Sequence, residues 1–439
     1  MNSSVKLPAR PGACPADHAS CPAPAPPWRL YGRRVAWMMM ASGWSANQFS
    51  ALLGAYRTEA GLSESAVTGL IAVYVLGLIP GLLAGGPLAD RYGRRPVALL
   101  ALGVNLLSTC VLMAGSAEPW CLLPGRVLTG LGAGALLAAG SAWVKELSSP
   151  PYDLTAPPGT AAKRSGMFVS AGFASGGLAA ALIAQWAPYP MLSAYLPHLV
   201  LAVGAGAAAF GAPESRPERP RRAEEAGATS AAPVPEAFPR ARFWRAVLPV
   251  APWVFAAPTV GFVTLPRLVD GGVTGWQTMY AGVATAVVPG AGLAVQPLAR
   301  YLATRHRLAN GVAGLLVVAA GFGCAAPAAA TRQPWFALAA AAILGAGYGL
   351  TLSFGLTVVA ALAPRARLAR LTSLFWTLAY TGMFAPYALT ALASAALGVP
   401  ALLAAGALLA VLVCAVFVLL NRGGGGVTAA PLNSPASPA

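Results

Sequence analysis

Charge is what this chain has least of. Asp, Glu, Lys and Arg make up 10% of its 439 residues, where an ordinary soluble domain carries about 25%. Acid is scarcer than base, with 13 Asp and Glu against 29 Lys and Arg, for a net charge of +16. Histidine is nearly absent. His18, His198 and His306 fall in a terminal tail, an apolar run and a loop. That scatter leaves no Ser/His, Cys/His or metal constellation at one place, so no enzyme and no bound metal are expected. The six cysteines form no metal-binding pattern either. Cys110, Cys121, Cys324 and Cys414 lie in or at the ends of apolar runs and read as small hydrophobes. Cys14 and Cys21 lie in a Pro/Ala-rich leader without the apolar core of a signal peptide. The leader reads as a disordered tail.

What the chain has in quantity is apolar length. Hydrophobic residues make up 57% of it and its mean hydropathy is +0.65. Runs of about 20 apolar residues recur, each long enough to cross a bilayer as a helix. Twelve are read, at approximately 34–56, 66–88, 96–115, 120–143, 165–187, 191–210, 246–266, 276–298, 309–329, 335–362, 371–392 and 399–420. Barrel strands would alternate polar and apolar residues, and these runs do not. The expected fold class is an all-α membrane protein of twelve transmembrane helices in two pseudo-symmetric six-helix bundles. The expected organisation is a tail at 1–33, bundles at 34–211 and 246–420, a Pro/Glu/Arg-rich linker at 212–245 and a second tail at 421–439. Alternate loops hold most of the Lys and Arg, and the others hold only Arg57, Arg267 and Arg332. The positive-inside rule then puts both termini in the cytoplasm of a multi-pass plasma-membrane protein. The basic loops would touch anionic lipid rather than nucleic acid.

The two halves echo each other. GLGAG at Gly130 matches GAGYG at Gly345, and Gly176 and Gly382 lie equally far beyond Arg164 and Arg370. QPLARYLATRHR, from Gln296, looks like a worn copy of GPLADRYGRRPV, from Gly86, with Arg300 where Asp90 stands. Parallel repeats of this kind build one large class of transporters.

GPLADRYGRRPV, between the second and third runs, resembles the loop signature of the major facilitator superfamily. Twelve spans, a long central loop and a degenerate second copy are similar to that family as well. On physical grounds Gly86 suits close helix approach and Gly93 a turn with positive φ. Arg94 and Arg95 can pair with Asp90 or Glu146. The resemblance implies a latch of Gly86, Asp90, Arg91, Gly93, Arg94, Arg95 and Glu146 that ties the second helix to the eleventh in one access state. A loop that only fixes orientation is the plainer alternative.

Arg126 is the one Lys or Arg well inside a span, roughly 9 Å from its outer end at 1.5 Å per residue. A buried cation there should face a cavity or a partner, or else snorkel to the surface. Arg126-x-x-x-Gly130-x-Gly132-x-Gly134 is similar to the family's fourth-helix arginine motif. The resemblance implies a role in proton coupling or anion binding. Asn47, at a similar depth, and Gln48 beside it are candidate cavity residues, as are Tyr348, Thr377, Tyr380 and Phe384 at helical spacing. Trp253 and Phe255 are weaker candidates, and His198 reads as structural.

Two features depart from the family's pattern. No Asp or Glu lies in mid-membrane, although many proton-coupled relatives have one. GFASGGLAAA, from Gly172, only partly matches the antiporter signature Gly-x-x-x-Gly-Pro-x-x-Gly-Gly. The expected function is secondary transport of a small organic solute by alternating access, leaning to proton-linked export, by a monomer without a cofactor. An uptake permease, an uncoupled facilitator and a non-transporting sensor on the same fold are the alternatives.

Overall fold

The computed structural model describes residues 31–154, 160–215, 239–362, 368–393 and 397–422. Residues 1–30 and 423–439 of the expected tails, most of the expected linker and the loop residues Arg365 and Arg367 lie outside the described residues, whereas residues 31–33 and Asn421, expected in the tails, are helical. Among those described, every regular element is a helix. Nine helices are long and apolar enough to cross a membrane: Glu64–Tyr92, Arg94–Ala114, Pro119–Leu147, Arg164–Trp186, Pro190–Phe210, Gln277–Arg305, Ala309–Thr331, Pro334–Leu362 and Val399–Asn421. They coincide with the second to sixth, eighth to tenth and twelfth expected spans.

The other three expected spans are helical but interrupted. The first runs Tyr31–Gln48, a 3-10 turn Phe49–Leu52, then Leu53–Thr58. The eleventh breaks the same way, Leu368–Tyr380, Thr381–Phe384, Ala385–Ala393. The seventh is built from short pieces, with a π turn at Val260–Thr264 just after Pro258. Such turns free backbone groups and are tolerated at membrane depth where protein or a cavity surrounds them.

Helix ends follow their sequences. The second span starts at Ser63, whose hydroxyl accepts the Ala66 amide, with Glu64 in the first turn. It ends at Gly93, whose φ of +106° turns the chain straight into Arg94–Ala114. Leu76, Leu100, Val200, Leu408 and Leu419 are exposed, as a surface meant for lipid requires.

Glycine sets the tight helix pairs. Gly77, Gly81 and Gly85 of the second span lie against the backbone of Val127, Leu131 and Ala135, while Gly130 and Gly134 lie against Tyr74 and Leu78 in return. A Cβ at any of these points would collide with backbone. Gly345 and Gly349 of the tenth span meet Val288 and Gly292 of the eighth in the same manner. Gly176 packs on Trp44 of the first span, and Gly382 packs on Pro252 and Ala256 of the seventh. The repeat read in the sequence therefore recurs as equivalent helix pairs. Gly86 does not make the close approach expected of it, for a Cβ there would meet open space. The packing row is Gly77-Gly81-Gly85, and Gly86 is turned about 100° from it.

Two hydrophobic clusters lie wholly within residues 35–212 and 246–417 respectively. A third joins Phe49, Leu70, Tyr74 and Tyr195 to Val263, Tyr380 and Met383 across the halves. The cavity opens beside this third cluster.

Candidate functional site

At the end of the molecule that carries the basic loops, Asp90 and Arg94 of GPLADRYGRRPV are paired. Arg94 Nη1 lies 2.6 Å from Asp90 and its Nε 3.2 Å from Glu146. Arg95 lies over the Phe210 ring and Arg91 over the Tyr92 ring. Glu214, absent from the expected set, completes the cluster. Its two carboxylate oxygens accept the Arg94 and Arg95 amides at 2.8 and 3.0 Å. Ser215 donates to Glu146 at 2.6 Å, and Trp143 donates to the Pro213 carbonyl at 3.0 Å. All these partners belong to the first bundle or to the start of the linker that follows it. Arg300, in the worn copy, is exposed and enters no ion pair among the described residues.

Between the halves lies a cavity with an empty volume of about 890 Å³, its open mouth included. The first, second, fourth and fifth spans form one wall, with Asn47, Ser50, Tyr74, Arg126 and Phe173. The seventh, eighth, tenth and eleventh form the other, with Phe255, Thr259, Pro289, Tyr348, Trp376 and Tyr380.

Arg126 does not snorkel; its residue is 1% exposed. Its Nε donates to the Leu70 carbonyl at 3.1 Å, and its guanidinium sits 4.3 Å from the Phe49 ring centre and 4.9 Å from that of Tyr74. Nη1 is buried without a hydrogen-bond partner. Asn47 faces the same cavity, and its Nδ2 donates to the Phe173 carbonyl at 2.7 Å. Tyr348 and Tyr380 line the facing wall. Three other expected residues do not. Gln48 turns toward the third span, its Nε2 3.5 Å from Thr109. Thr377 is one helical step off the cavity row, which is Trp376-Tyr380-Met383. Phe384 ends the 3-10 turn at Thr381–Phe384, which breaks the regular spacing, and is 38% exposed.

Trp376 and Tyr74 also line the cavity, and both escaped the sequence reading. Phe255 stacks on Tyr380 at 4.2 Å and 12°, with Trp376 about equally far from both rings at 6.2 and 6.0 Å. The signal was present, since Trp376 and Tyr380 are four residues apart on one helix face. Trp253 belongs to packing, edge-on to Phe322. His198 is buried, with Nδ1 2.9 Å from the Thr109 hydroxyl.

The end opposite the basic loops is closed by contacts between halves. Arg57 lies 3.8 Å from Asp270. Arg267 Nη2 is 2.5 Å from Glu64, off the line of a hydrogen bond, and its Nε has no partner. Gln185 spans the gap, donating to the Gly275 carbonyl at 2.7 Å and accepting the Met279 amide at 3.1 Å. Trp186 meets Trp276 edge-on. Burial raises the Asp270 carboxyl above the ordinary range, against the pull of Arg57 and Arg267 and with the push of Glu64. Burial lowers Arg267, and Glu64 opposes the shift.

The architecture is shared with solved transporters. A D-xylose-proton symporter superposes with a TM-score of 0.68 over 90% of this chain and 97% of its own, at 15% identity. Among curated proteins, the chain is 40% identical to the methylenomycin A resistance protein of Bacillus subtilis (strain 168) over 72 residues, 16% of this chain and 15% of that one. It is 40% identical to a gallate transporter of Pseudomonas putida over 78 residues, 18% of this chain and 17% of that one. The chain thus matches less than a fifth of either relative's length. The family-wide comparison reaches much further, matching the Major Facilitator Superfamily over residues 35–386. With helices and cavity as described, the chain belongs to the major facilitator superfamily, a family of membrane transporters of small solutes.

Proposed function

We propose that this chain is a secondary active transporter that exports a small organic solute in exchange for protons, by alternating access. One observation carries the reading: a cavity between the halves, closed at one end by contacts between them and lined toward the basic end as far as Leu137, Val169 and Trp376. A closed end and a lined approach describe one state of an alternating cycle. By the positive-inside rule the basic end is cytoplasmic, as are both termini, in the plasma membrane. The bundles at 34–211 and 246–420 rock against each other as a monomer. The Asp90–Arg94–Glu146–Glu214 cluster holds the first bundle's cytoplasmic face, beside anionic lipid. No cofactor takes part, and the proton is the coupling ion. The likeness to a resistance protein supports export. The symporter fold and the incomplete antiporter signature favour a second reading, uptake with protons.

Counterflow of labelled solutes in proteoliposomes tests transport itself. An imposed pH gradient then separates the readings. Acid inside the vesicle drives accumulation by an exchanger, and acid outside drives it by a symporter. A facilitator responds to neither. Counterflow absent for every solute, in protein that is folded and reconstituted, sinks the proposal.

A further inference from the structure

The cavity carries one unmatched charge. Arg126 lines it, is buried, and enters no ion pair among the described residues. No Asp or Glu lines the cavity. The rings of Phe49 and Tyr74 fix the guanidinium plane, yet cation–π contacts only partly offset the burial of a cation. Nη1 remains a donor without an acceptor, and a buried unsatisfied donor on a charged group is costly. An incoming anion supplies what the protein lacks, and a carboxylate matches the planar guanidinium fork.

The facing wall has a different chemistry. Phe255, Trp376 and Tyr380 form a contiguous aromatic surface, with Tyr348 6.0 Å from Phe255. Such a surface takes a flat ring by offset or edge contacts. Two other polar groups on the walls are already engaged. Asn47 Nδ2 is held by Phe173, and the Thr259 hydroxyl donates to the Phe255 carbonyl of its own helix. Asn47 is also the one carboxamide on the lining.

We propose that the cavity binds an aryl carboxylate, its carboxylate on Arg126 and its ring against Phe255, Trp376 and Tyr380. This substrate class rests on the transport reading above. The two halves would each hold one end of the solute. Binding would then bridge the bundles, as a solute that triggers rocking between them must.

Titration of the purified full-length protein in nanodiscs with cinnamate, cinnamamide and octanoate tests the assignment. Cinnamate is expected to bind roughly 10- to 100-fold more tightly than its neutral amide, the range for a charge-assisted hydrogen bond. It is also expected to outbind octanoate, which keeps the charge and lacks the ring. In Arg126→Gln, cinnamate should fall to the level of cinnamamide, with cinnamamide unchanged. Phe255→Leu should narrow the gap between cinnamate and octanoate. Should Arg126→Gln fail to fold, the wild-type comparison of acid with amide decides alone. Equal binding of acid and amide, or no binding of cinnamate, overturns the proposal. Counterflow of another solute that cinnamate does not inhibit overturns the substrate class and leaves transport standing. Cinnamate binding with no counterflow of cinnamate or any other solute overturns transport and leaves the site.

Discussion

Glu214 commits both carboxylate oxygens to the first two amides of the third span, at a helix end with no other side-chain cap. Those amides have no partner within their own helix, and the helix dipole favours a negative group beside them. Glu214→Gln leaves one acceptor and no charge, so it should destabilise the protein by about 1 kcal/mol, the usual weight of an N-cap. A lowered thermal midpoint in detergent checks this, and Glu214→Asp should recover part of the loss. Asp270, at the other end, makes a prediction about pH. Its carboxyl is raised chiefly by burial in the closed arrangement. Opening would return it to water and to the ordinary carboxylate range. The closed form then binds the proton more tightly. Its share of closure is complete below the ordinary Asp value and is lost as pH rises through the raised one. Acid on this face should favour closure, although it also discharges the pair with Arg57. That pair is half-exposed at 3.8 Å and worth only about 0–1 kcal/mol. Spin-label distances between the halves at this end, followed against pH, should shorten on acidification. Asp270→Asn should flatten that response, and lengthening on acidification would contradict it.

At the scale of helices, backbone contact makes the glycine rows intolerant. Gly81→Val or Gly134→Val would force the second and fourth spans apart, because the colliding atoms are the Leu131 and Leu78 carbonyls rather than flexible side chains. Either should abolish folded protein on size-exclusion chromatography. Gly86→Ala, five residues along from Gly81, should not lower the thermal midpoint, since nothing lies within 4 Å and alanine is the better helix former. This contrast also marks what the sequence makes legible. Apolar runs and their basic loops reveal where helices lie, because both are imposed by the bilayer on each run alone. The depth shared by Asn47 and Arg126 is legible for the same reason. Helix rotation is not, because it depends on neighbours. Gly86 against Gly85, Thr377 against Trp376 and Gln48 against Asn47 are all off by one residue, which is 100° of rotation. The interruptions of the first, seventh and eleventh spans are hidden too. Their 3-10 and π turns shift the face presented beyond the break, and this is how Phe384 leaves the row begun by Trp376 and Tyr380.

For the whole molecule, the question is which contacts must break when the halves rock. The ion pairs between halves lie at the end opposite the basic loops, joined there by Gln185 and the Trp186–Trp276 contact. The basic-end pairs Asp90–Arg94, Arg94–Glu146 and Arg164–Asp153 are internal to the first half. The closed end should therefore separate while the Arg94 cluster travels with its bundle. These polar contacts between halves are individually modest: the partly exposed Arg57–Asp270 pair contributes about 0–1 kcal/mol and a neutral hydrogen bond about 1 kcal/mol. A sum of a few kcal/mol is what a reversible two-state element needs, since larger differences would leave one state almost unpopulated. Cysteines at Gln185 and Met279, bridged by a short cleavable bifunctional thiol reagent, would make this end permanent. Counterflow should stop on bridging and return on cleavage, with each single-cysteine variant unaffected by the reagent. Cinnamate should still bind the bridged protein with unchanged affinity, because the cavity is formed in the closed-end state and its lining reaches toward the other end. Undiminished counterflow through the bridged protein would show that Gln185 and Met279 do not separate during transport, and the rocking of the two halves about this end would be wrong.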